Sequence, residues 1–78
     1  MVPVYLVERY LPELSGDGLR AQVAREQGID GLRHLHTTYL PGDELCFSVV
    51  EAPSLAAVSR ANDLAGLDYV RISEAVIA

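Results

Sequence analysis

The stretch Leu32-Arg-His-Leu-His-Thr-Thr-Tyr-Leu40 sets two histidines two residues apart within an alternating run. On a strand, residues i and i+2 project to the same side about 6.6 Å apart, so His34, His36 and Thr38 are expected to share a face. Two imidazoles give a divalent ion such as nickel or zinc only part of its coordination shell, and carboxylates or a second subunit must supply the rest. Glu51 and Glu8 are the carboxylates expected closest, which makes His34, His36, Glu51 and Glu8 the candidate metal residues. The same groups could instead act as acid and base toward a small apolar substrate. The plainer reading is a pair of interface histidines hydrogen-bonded across a dimer. Cys46 reads first as a small buried hydrophobe and second as a soft ligand. The sequence holds no HExxH helix, Gly-rich phosphate loop or nucleophile–base pair, so catalysis has no support beyond such a cleft.

The elements that must position these residues follow from pattern and punctuation. Val4 to Leu11 is rich in β-formers and stops at Pro12, which predicts a first strand. A modest helix follows to about Gln27, with Ser15 or Asp17 as N-cap, Leu19 and Val23 on one face and Gly28 as its stop. Leu32–Leu40 and Glu44–Glu51 read as strands joined by the turn residues Pro41-Gly42-Asp43. Ser54 caps a second helix in which Leu55, Val58, Ala61 and Ala65 recur at helical spacing before Gly66. Tyr69–Ile77 closes the chain as a fourth strand, with Val70, Ile72 and Val76 on one face and Arg71 and Ser73 on the other.

This βαββαβ order predicts one α+β domain over residues 1–78 with a ferredoxin-like fold: a four-stranded antiparallel sheet, order 4-1-3-2, and both helices on one side. A hairpin loop of either two or four residues pairs Thr38 with Phe47, His36 with Val49 and His34 with Glu51. One face then carries His34, His36, Leu45, Phe47, Val49 and Glu51; the other carries Arg33, Leu35, Thr37, Tyr39, Cys46, Ser48 and Val50. The histidine face is assigned to the uncovered side, because helix-facing positions seldom hold two imidazoles beside a carboxylate. Glu8 and Glu74 are expected in the same cleft if their strands share its phase.

A chain of 78 residues buries only about 60% of the surface its unfolded form exposes. With a single cysteine and no zinc motif, association is the simplest supplement, so a homodimer is expected. Six basic against eleven acidic side chains give a net charge of −5, which argues against nucleic acid or an anionic membrane as partner. The segment Glu44-Leu-Cys-Phe-Ser-Val-Val-Glu51 also lacks the basic and aromatic positions of an RNA-binding strand. No run approaches a bilayer span and the N-terminus has no signal-peptide pattern, so a cytoplasmic location is expected.

Four segments, YLVERYLP, LRHLHTTYLP, CFSVVEAPS and VSRANDLAGL, occur in this order over nearly the whole chain. Together they resemble a small family of ferredoxin-like proteins, actinobacterial in type, that includes a nickel-binding, nickel-responsive protein. The resemblance implies a dimer with a transition-metal role, nickel first. His36, Glu8, Cys46 and Glu51 fall within the shared segments. The chain departs from the family pattern in a shorter first helical region, Ser15 to Gln27, and in His34, where a bulky aromatic is frequent.

Overall fold

The structure is a computed structural model and describes residues 2–78. Its elements are β1 (Val4–Tyr10), α1 (Gly16–Gln27), β2 (Arg33–Leu40), β3 (Leu45–Glu51), α2 (Leu55–Ala65) and β4 (Arg71–Ala75). The strands form one antiparallel sheet in the order β2-β3-β1-β4. This is the expected ferredoxin-like βαββαβ arrangement. β4 is shorter than the alternation predicts, because β1, the strand it pairs with, starts at Val4 and Ala75 pairs there.

Both helices begin where a serine can satisfy orphan amides. Ser15 accepts from the amide of Gly18 and Ser54 from that of Ala57. α2 ends at Gly66 in the left-handed conformation, φ 71°. There the amide of Leu67 reaches back to the carbonyl of Asn62 and that of Gly66 to Asp63, a Schellman stop. The β2–β3 hairpin takes the four-residue loop, closed by Leu40 opposite Leu45.

The apolar core lies on the helix side of the sheet. Tyr5 and Val7 from β1, Val50 from β3, Ala52 just after β3 and Val58 from α2 form its centre, with Leu32, Tyr69 and Ile72 packed around them. The alternate residues of β1 and β3, namely Val4, Leu6, Glu8, Leu45, Phe47, Val49 and Glu51, face away from the helices and are only half-buried. β2 breaks this alternation. Its register against β3 shifts between His34 and His36, so that His36 opposes Val49 while His34 opposes Val50 and Arg33 opposes Glu51. A bulge at this point places one extra residue in the strand and reverses the facing of everything before it.

Candidate functional site

The bulge decides where the histidines go. His36 stays on the open face as expected, exposed, with its Nε2 2.7 Å from Thr38 Oγ1. His34 turns to the helix side, and its side chain is 7% exposed. The expectation that both imidazoles share one face is therefore corrected. The extra residue in β2 sends Leu35 outward and His34 inward, and the predicted pairing of His34 with Glu51 passes to Arg33.

Around His34 lies a buried polar cluster centred on Glu26 of α1. Its Oε1 accepts from Thr37 Oγ1 at 2.8 Å and Ser48 Oγ at 2.7 Å. Its Oε2 accepts from Arg9 Nε and from Gln22 Nε2, each at 3.0 Å. Four donors occupy the four lone-pair positions of the carboxylate. Because Thr37 gives its only hydroxyl proton to Glu26, the 2.6 Å contact between Thr37 Oγ1 and His34 Nε2 requires the imidazole to be the donor. Arg9 extends the cluster toward α2, donating from Nη2 to Asn62 Oδ1 at 2.6 Å and from Nη1 to the carbonyl of Asp68 at 2.9 Å. Asn62 in turn donates to the carbonyl of Val58.

Burial pushes the Glu26 carboxyl up, but the hydrogen bonds from Gln22, Ser48 and Thr37, joined by the Arg9 charge, outweigh it and hold the group below the usual glutamate value. The cluster is thus an ionised, fully bonded pair inside the protein. Cys46 sits at its edge, 4.0 Å from Ser48 Oγ. Burial, followed by the nearby Glu26 charge, raises its thiol, so the buried small-hydrophobe reading suits its surroundings better than that of a reactive group.

The carboxylates expected beside the histidines are engaged elsewhere. Glu51 lies on the open face in a 3.1 Å ion pair with Arg33. Glu8 lies on the same face but pairs with Arg71 at 3.3 Å. In the sheet Glu8 stands in the row of Thr38 and Phe47, two strands from β2, which puts its backbone roughly 10 Å across the sheet from β2. Glu74 opposes Tyr5 whereas Glu8 opposes Arg71, an odd offset that places the two glutamates on opposite faces. His36 and Glu51 remain diagonal neighbours on the open face. Among the described residues, no three His, Cys, Asp or Glu side chains gather as a metal-binding group. The donors of one chain therefore do not fit a closed nickel or zinc shell by themselves.

Arg9, Gln22 and Asn62 escape a search for chemistry in the sequence because each is isolated there. The alternation Tyr5, Val7, Arg9 does place Arg9 on the core side. Gln22 and Glu26 fall one helical turn apart on the buried face of α1, the face that Leu19 and Val23 alone fill poorly. That shortage of apolar residues was the available signal. The fold and site together define a ferredoxin-like α+β domain with one buried polar cluster beside its apolar core and an uncovered sheet face. Comparison with protein-family models, with curated proteins and with solved structures finds no match for this chain. Among the described residues, no helix is long and apolar enough to cross a membrane.

Proposed function

We propose that the protein works as a homodimer that packs through its open sheet faces. One observation carries this reading: the uncovered face has an apolar centre, Leu6, Phe47 and Val49, while each of its four charged side chains is already paired within the chain, Glu8 with Arg71 and Glu51 with Arg33. Such a face can be buried against an identical copy without stranding a charge. Exposed Leu35, Leu40 and Tyr10 widen the apolar surface beyond the centre. A second copy suits this face better than nucleic acid does, since the chain is acidic and its basic side chains there are neutralised. The test is the solution mass by light scattering. A value near twice 8.5 kDa that falls to the monomer in Phe47→Asp supports the dimer; a monomeric wild type at micromolar concentration rejects it.

A divalent metal, nickel first, is the second reading, supported by His36 beside Glu51 on that same face and by the family resemblance. In this form the site lies between copies, because one chain brings only two donors to it and a twofold axis would double them. Calorimetric titration with Ni²⁺ then gives saturable binding that His36→Ala abolishes and His34→Ala leaves in place. Binding indifferent to His36 would rule the site out.

A further inference from the structure

We propose that the cleft beside Arg9, between the C-terminal ends of both helices and the end of the sheet, binds a small organic monocarboxylate. The cleft has a volume of about 430 Å³, within the size range of small-ligand sites, and Arg9, Gln22, Arg25, Leu67, Asp68 and Tyr69 are among its lining residues. Two of the six arginines of the chain meet here, although the molecule as a whole is acidic. They have different parts. Arg9 is 2% exposed and held rigidly by Glu26, Asn62 and the Asp68 carbonyl, so its guanidinium plane is fixed before any ligand arrives. Its three bonds use one N–H on each nitrogen, so each terminal nitrogen keeps one further N–H, and Arg9 is among the residues that line the cleft.

Arg25 is exposed in the last turn of α1 and takes part in no ion pair among the described residues. It supplies the uncompensated charge, since that of Arg9 is already balanced by Glu26. Leu67 and Tyr69 offer apolar wall to the body of the ligand. Asp68, an exposed residue of the lining, sets the charge limit: one negative charge is matched by Arg25, whereas a dianion such as a phosphate monoester is opposed. All of these groups belong to one chain, so the cleft does not depend on self-association.

Benzoate is the probe, titrated into the full-length protein while backbone amide resonances are followed. Saturable shifts at Arg25, Leu67, Asp68 and Tyr69 are expected with benzoate and not with neutral benzamide. Arg25→Gln, a surface change that leaves the Glu26 cluster intact, weakens benzoate about tenfold, the worth of one charge-assisted hydrogen bond. Absence of saturable shifts, equal response to benzamide, or an Arg25→Gln protein that binds as the wild type does would each overturn the proposal.

Discussion

Truncating Glu26 would leave Arg9, Gln22, Thr37 and Ser48 without their shared acceptor inside the protein. Breaking a buried pair from one side costs about 3–5 kcal/mol, so Glu26→Ala should lower the urea midpoint severely, whereas Glu51→Ala, which removes a half-exposed pair, should cost under about 1 kcal/mol. The same carboxylate gives a pH dependence of definite sign. Its folded pKa is depressed, so its contribution is complete above the unfolded glutamate value of about 4.3 and is lost as pH falls through the folded value. Unfolding curves between pH 6 and about pH 3 should show this acid loss in the wild type and a flatter profile in Glu26→Gln. At this scale the sequence was informative about facing for His36, Thr37, Tyr39, Cys46, Phe47, Ser48 and Val49, all of which lie on the expected side. It was silent about the pairing of Arg9 with Glu26, because a buried ion pair between residues 17 positions apart has no local signature.

At the scale of elements, helix caps, hairpin and strand order could all be read from spacing and turn chemistry. What could not be read was the bulge in β2. Arg33 to Leu40 alternates acceptably in either phase, and the phase before residue 36 is chosen by a tertiary contact, the fit of His34 and Thr37 beside Glu26. A strand whose two faces are both half-apolar specifies its register weakly on its own. α1 shows the converse: with only Gln22 and Glu26 buried, it docks through polar bonds more than through an apolar stripe. Gly66 gives a direct test of a cap. No atom lies within 4 Å of where a Cβ would stand, so Gly66→Ala carries only the left-handed backbone penalty, about 1–2 kcal/mol, measurable as a lowered Tm with an unchanged fold.

For the molecule as a whole, the dimensions 35 × 28 × 18 Å describe a slab two layers thick, helices over sheet. All of the core's strand residues point to one side, and the other side of the same strands is left half-covered. A 78-residue chain with a core on one side of its sheet has little surplus stability. If the second side is covered by another copy, thermal stability must depend on protein concentration. Scans over a hundredfold range of concentration should show Tm rising with concentration for the wild type, and no such rise for Phe47→Asp. A Tm independent of concentration in both would leave the slab to stand alone.

The cluster that joins Arg9 to Asn62 and Asp68 also bears on how quickly the protein comes apart. These bonds link residues 53 and 59 positions apart, and the loop-closure cost of contacts so distant in sequence leads us to expect that they form late, after the folding barrier. Contacts made after the barrier do not govern the rate of folding; they govern how long the folded molecule lasts. The bonds of the buried arginine are thus expected to act on lifetime: without them the chain should still fold at nearly the same speed but reopen sooner, which the two arms of a stopped-flow denaturant series would show as a raised unfolding rate alone.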